Sequence, residues 1–209
     1  MKKHTEKLNA CIAKMRGANP GRLIGYLEIG VQDPENNFNH IQANTCLGVD
    51  PEPVAQPTWG KILQTPSELF WEHNTEQFDF IFIDGKHHAM NTFWDIIQGV
   101  CALNTREGDG MVAVHDIYPP AEPAEIRQIP RPESRRRRPW CGNAWQAYWL
   151  AKVLLQNFSH NRVYPFRMTH YVDFDDYGIG FLIILKGTKD LKKLLLPEFD
   201  QYIEIHNAY

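Results

Sequence analysis

No run of the chain approaches the roughly 20 apolar residues that a membrane-spanning helix needs, so a helical membrane protein is not expected. The opening residues, MKKHTEKLNA, carry no apolar core of signal-peptide length, which leads us to expect a cytoplasmic location. Cysteine is sparse: Cys11, Cys46, Cys101 and Cys141 are scattered at no metal-binding spacing. They read as reduced packing residues rather than a disulfide framework or a zinc site. Neither sign of charge dominates, with 22 basic against 25 acidic residues and a net charge of -3, so nucleic acid is not an expected partner. There is no internal repeat of the kind that builds solenoids. The motif GxGxxG is also missing, which counts against a dinucleotide-binding loop.

What is present suits one domain. A chain of 209 residues can bury on the order of 70% of its unfolded surface. Its hydrophobic share of 43% with 12% aromatics excludes a disordered chain. The organising stretch is Tyr26 to Pro51. One apolar run ends in Glu28-Ile29-Gly30, and a second, Cys46-Leu47-Gly48-Val49, ends in Asp50. Short runs that are apolar on both faces and stopped by a turn residue predict buried parallel strands. A carboxylate at a strand tip suits the hydroxyls of a ribose, and Gly30 lets a ligand approach bare backbone. The pair predicts a nucleotide-type pocket.

Around this stretch an alternating pattern of helices and strands emerges. Leu8, Ile12 and Met15 have helical spacing within residues 5–16, and Asn19-Pro20-Gly21 ends that helix. The first strand is expected over 23–31. Asp33-Pro34 begins a turn, with Phe38 and Ile41 facing inward from a short helix. Pro51, Pro53 and Pro57 keep the next stretch from being helical. A short third strand is expected within 59–64, and Thr65-Pro66-Ser67-Glu68 reads as a helix start, with a hydroxyl cap or a proline in the first turn. Phe78 to Ile83 is the strongest strand and stops at Asp84-Gly85. A helix follows over 87–104, with Met90, Phe93, Ile97 and Cys101 near one face, and then a fifth strand, 111–114, ending in His115-Asp116. Gly30, Asp50, Asp84 and His115-Asp116 thus fall at the carboxyl ends of strands, where open α/β sheets bind ligands.

Residues 118–140 differ from the rest. They hold Pro119, Pro120, Pro123, Pro130, Pro132 and Pro139 and the run Arg135 to Arg138, without a core pattern. We expect a long surface loop inserted above the pocket of a single domain spanning 1–209. A helix over 140–156 is expected next, anchored by Trp145, Trp149 and Leu150. Two β-rich runs, 162–174 and 179–185, flank Asp175-Asp176-Tyr177-Gly178 and predict an antiparallel pair. Residues 188–209 form a lysine-bearing amphipathic segment.

YLEIGV, GVDP, FDFIFIDGKHH, MVAVHDIYPP and DYGIG follow one another at matching intervals over about residues 22–186. In this the chain resembles class I S-adenosylmethionine-dependent methyltransferases, and in particular the branch with IDG-x-H and HD-x-x-P motifs, many of whose members methylate hydroxyls of sugars or small natural products. The resemblance implies a doubly wound, Rossmann-like, seven-stranded, mostly parallel sheet whose last strand is antiparallel. It implies S-adenosyl-L-methionine as cofactor, with Glu28 and Gly30 at its methionine end, Asp50 on the ribose, and Ser67 or Glu68 near the adenine. Asp84 would lie beneath the sulfonium or bind a metal, and His87, His115 and Asp116 would face the acceptor.

Asp84 and Asp116 end neighbouring strands and together can reach one cation, magnesium for an oxygen-rich set or a transition metal if imidazole joins. His87, His88 and His115 are the candidate bases, with His115 favoured by its strand-tip position beside Asp116. The expected acceptor is a small molecule, sugar-like or anionic, the anionic case resting on Arg127, Arg131 and Arg135 to Arg138. Trp140 is the tryptophan best placed to meet it. Two other readings stay open: a nicotinamide-dependent oxidoreductase on a similar sheet, and a protein that binds S-adenosylmethionine without turnover.

Overall fold

The structure is a computed structural model. It describes residues 3–118, 142–160, 167–174, 178–188, 191–193 and 195–197. Seven strands form one sheet: β1 (Gly25–Ile29), β2 (Thr45–Val49), β3 (Lys61–Leu63), β4 (Phe80–Ile83), β5 (Gly110–His115), β6 (Met168–Asp173) and β7 (Ile179–Ile184). Their order is β3-β2-β1-β4-β5-β7-β6, and every neighbouring pair is parallel except the two that involve β7. The expected architecture, with its closing antiparallel strand, is therefore present. Helices α1 (Lys3–Ala18), α2 (Ser67–His73), α3 (Ala89–Cys101) and α4 (Ala144–His160) accompany the sheet. None of the described helices is long and apolar enough to cross a membrane.

The strand alternation explains the two cores. Leu27, Ile29, Ile81, Ile83, Val112 and Val114 project from one face and are buried with Phe93, Ile96, Ile97 and Val100 of α3 and Ala147, Tyr148, Ala151 and Leu155 of α4. Tyr26, Phe80, Phe82 and Ala113 project from the other, against Leu8, Ile12 and Met15 of α1 and the loop residues Phe38 and Ile41. Each of the larger apolar side chains among them contributes roughly 1.5–3 kcal/mol relative to exposure. Because β2 and β4 flank β1, the chain leaves β1 in both directions. This switch point opens a crevice at the carboxyl ends of β1 and β4.

The structure corrects several expectations. Met90 is 43% exposed, because the buried stripe of α3 meets the sheet only from its second turn, at Phe93. Of the expected anchors of α4, Trp149 is partly buried against the core. Small residues, Ala144, Ala147 and Ala151, let the helix approach closely enough for the Tyr148 ring to lie over Gly180, while Leu150 is 38% exposed. Pro66, not a hydroxyl side chain, stands at the N-cap of α2, which has no side-chain cap. The segment after β1 forms two short 3-10 helices, Pro34–Asn36 and Phe38–His40, and Phe38 and Ile41 are buried as expected. Of the predicted insert only Tyr118 is described. Arg127, Arg131, Arg135 to Arg138, Trp140, Asp175 to Tyr177 and most of 188–209 lie outside the described residues.

Candidate active site

The first half of the crevice is built by the loops after β1 and β2. Ile29 and Val49 are register partners, so Gly30 and Asp50 emerge side by side. Gly30 has φ +87, and an added Cβ would overlap the backbone of Asp84 and Gly85. Only glycine permits that close approach of two strand-end loops. Asp50 Oδ2 accepts the Gln32 N–H at 2.8 Å, and Oδ1 accepts the Glu52 N–H at 2.8 Å. The carboxylate thus shapes both loops, and each oxygen keeps a second lone pair. Asp50 O also accepts the Thr65 N–H at 3.2 Å, which brings the chain leading into α2 to the tip of β2.

Glu28 is 2% exposed, and a charge so buried requires partners. Its Oε2 accepts the Tyr26 hydroxyl at 2.7 Å and Asn37 Nδ2 at 2.8 Å, which fastens β1 to the turn beside it. Burial, reinforced by Glu28, pushes the Tyr26 hydroxyl well above its ordinary pKa, so it remains a donor. Ser67 and Glu68 turn toward α3. Glu68 accepts from Asn91 Nδ2, and Ser67 hydrogen-bonds Asp95.

The second half brings Asp84, His87, His115 and Asp116 together. Asp84 and His87 follow β4, while His115 closes β5. His87 Nδ1 lies 2.9 Å from Asp116 Oδ2, and its Nε2 lies 4.0 Å from Asp84 Oδ1. His115 Nδ1 stands 3.2 Å from Asp84 Oδ1 and 3.2 Å from Asp116 Oδ1. Asp116 adopts φ +57, a left-handed conformation that aspartate tolerates better than most residues. Burial lowers the His87 pKa, but the Asp116 hydrogen bond and the charges of Asp116 and Asp84 outweigh it and leave the group raised. His115 is also raised, and strongly: burial opposes, and the charge of Asp84 with hydrogen bonds to both carboxylates prevails. Burial works against the charged form of Asp116 as well, yet the two imidazoles hold it below the usual carboxylate range. A cavity of about 10 Å³ is lined by these four residues with Ile83, Gly85, Lys86, Thr92 and Ala144.

Two supports come from residues the sequence reading left out. His4, 3% exposed, packs its ring edge-on against His115 with centroids 5.2 Å apart. It extends the stripe Leu8-Ile12-Met15 by one turn, a periodicity that was readable in the sequence. Asn143 leads into α4, accepts the Ala89 N–H through Oδ1 at 2.7 Å and donates its own N–H to His87 O at 3.2 Å. His88, grouped with the other histidines from sequence, is instead exposed at the N-cap of α3.

No family model and no curated protein sequence matches the chain. Solved structures do. A protein from Klebsiella pneumoniae described as a candidate O-methyltransferase matches with a TM-score of 0.51 at 11% identity, over 89% of this chain and 80% of its own. MycE methyltransferase from the mycinamycin biosynthetic pathway, in complex with Mg, S-adenosylhomocysteine and mycinamycin VI, matches at 0.54 and 13% identity over 86% of this chain. A second crystal form of MycE, with Mg and S-adenosylhomocysteine, matches at 0.55 and 12% identity. The chain spans 50% of the length of MycE. At these identities the likeness is one of fold, the fold that these methyltransferases share.

Proposed function

We propose that the protein is an S-adenosylmethionine-dependent methyltransferase that methylates a hydroxyl of a small molecule. The observation that carries the reading is the meeting of Gly30, Asp50 and the Asp84–His87–His115–Asp116 group at one edge of this sheet, on either side of its switch point. Asp50 offers the ribose diol its remaining lone pairs, and Gly30 presents bare backbone to the methionine end of the cofactor. Glu28 acts there through the turn it fastens. The start of α2, at Ser67 or Glu68, lies near the adenine.

Methyl transfer is an in-line displacement. The acceptor oxygen bonds to the methyl carbon, the carbon–sulfur bond breaks with its electron pair moving to sulfur, and S-adenosylhomocysteine leaves. The hydroxyl proton needs a base. His87 is the better placed of the two imidazoles, because its side chain is 22% exposed against 12% for His115. With the proton on Nδ1, 2.9 Å from Asp116 Oδ2, Nε2 is the basic nitrogen, and the nearby carboxylate favours that tautomer and strengthens the base. Alignment of donor and acceptor contributes roughly 7–11 kcal/mol to lowering the barrier, and the base typically 10²–10⁴-fold.

A divalent cation is the natural question for such a group. The donors exist: Asp84, His87 and Asp116 each offer an atom within 4.8 Å of the others. The space does not suit magnesium, which keeps several of its waters, since about 10 Å³ is near the lower limit for a single one. No step is therefore assigned to a metal. MycE, in complex with Mg and mycinamycin VI, supports a small-molecule acceptor for this fold.

The test is transfer of labelled methyl from S-adenosylmethionine to a panel of sugar-like and anionic hydroxyl compounds. Label in any of them, abolished by His87→Gln, supports the reading. Reduction of NAD by the same panel would replace it with the oxidoreductase.

A further inference from the structure

We propose that His115 is the internal bridge between Asp84 and Asp116 and stands where a divalent cation would otherwise join them, so that the site works without a metal. This deepens the methyltransferase reading and rests on it. A cation shared by two carboxylates must lie within bonding reach of an oxygen of each. In this protein that place, between Asp84 Oδ1 and Asp116 Oδ1, holds an imidazole nitrogen equidistant from both at 3.2 Å.

The nitrogen is not free to swing away. The ring belongs to the last residue of β5, paired with Ile179 of β7. It packs against His4, with centroids 5.2 Å apart, and against Phe82 at 6.2 Å. His4 in turn is fixed by the buried stripe of α1. Nδ1, within 3.2 Å of an oxygen of each acid, is the nitrogen that faces both carboxylates, and a proton there is attracted to both. The second oxygen of Asp116, Oδ2, lies 2.9 Å from His87 Nδ1. Each of these acid oxygens thus faces an imidazole nitrogen, and the residual 10 Å³ leaves no room for a hydrated ion.

His115 is accordingly a positioning residue. It holds Asp84 and Asp116 in place, and Asp116 in turn orients His87. The arrangement makes a sharp prediction about residue type. Replacing His115 by an acid would remove the bridge and place a third carboxylate beside His87, moving the group toward the oxygen-rich seat that magnesium prefers.

Full-length protein freed of metal by chelation is titrated calorimetrically with MgCl₂ and, separately, MnCl₂. The wild type is expected to show no saturable binding of either ion in the millimolar range, and its affinity for S-adenosylhomocysteine is expected to be unchanged by chelator. His115→Asp is expected to gain Mg²⁺ binding at least about tenfold tighter than the wild type, and the further change Asp84→Asn to remove it. One-to-one binding of Mn²⁺ or Mg²⁺ by the wild type, weakened by Asp84→Asn, overturns the proposal. So does a folded His115→Asp that binds no better than the wild type. If His115→Asp does not fold, the wild-type titration decides alone, and His115→Asn, whose amide can replace the Nδ1 donor, is expected to keep both the fold and indifference to metal. S-Adenosylhomocysteine binding in the same samples reports separately on the methyltransferase reading.

Discussion

Two clusters of buried charge sit at opposite ends of the sheet. At the amino ends of the strands, Asp79 receives Arg22 Nη2 at 2.6 Å, Arg22 Nε at 3.2 Å, the Gly25 N–H at 2.8 Å and Asn104 Nδ2 at 3.1 Å. Arg22 directs its other bonds to the carbonyls of Asn104 and Asp109. At the carboxyl ends, Asp84, His87, His115 and Asp116 share fewer bonds among more ionisable groups, enclose a small cavity and hold Asp116 in a left-handed conformation. Buried charge alone therefore does not mark a site. The amino-end cluster is closed, since its donors and acceptors are spent on strand starts. The carboxyl-end cluster keeps reactive nitrogens, space and backbone strain, the features associated with function.

The comparison fails if substitutions in the two clusters behave alike. Asp79→Ala strands a guanidinium whose side chain is 2% exposed, and is expected to cost about 3–5 kcal/mol in urea denaturation. His87→Gln is expected to slow methyl transfer 10²–10⁴-fold while changing S-adenosylhomocysteine affinity little, which steady-state kinetics and calorimetry separate. Asp50→Ala removes acceptors for the Gln32 and Glu52 amides as well as the ribose. It is expected to weaken S-adenosylhomocysteine binding by roughly 1.5–3 kcal/mol, with a smaller loss of stability.

The smallest effect falls on a third buried acid, in the body of α3. Burial lifts the Asp95 pKa from 3.8 to about 7, against the opposing hydrogen bonds of Trp71 and Ser67. Because the folded value is raised, the unfolded chain ionises first, and stability drains away as pH climbs from about 4 to about 7. Asp95→Asn keeps an acceptor for Trp71 Nε1, which donates to Oδ1 at 2.8 Å. Its Tm is expected to exceed the wild type's more at pH 8 than at pH 5.

The sheet was legible because its strands are short apolar runs ended by Gly, Asp or His, and those ends became the crevice. Gly30 beside Asp50 and Asp84 near Asp116 follow from strand adjacency once the parallel order is assumed. The faces of α3 and α4 were less legible, because alanine spacing carries little hydrophobic signal and Met90 lies beyond the packed part of its helix. His4 escaped notice because its contact with His115 spans most of the distance from the chain's start to β5, although its place on the α1 stripe was visible. The favoured base also changed. A strand-tip position made His115 attractive, but the same position buries it, while the looser His87 keeps an accessible ring.

Calorimetric titration of the wild-type protein with S-adenosylhomocysteine, set against NAD, tests the central claim most directly. The account predicts one-to-one binding of S-adenosylhomocysteine that Asp50→Ala weakens, and no heat with NAD. Saturable binding of NAD with none of S-adenosylhomocysteine would contradict it.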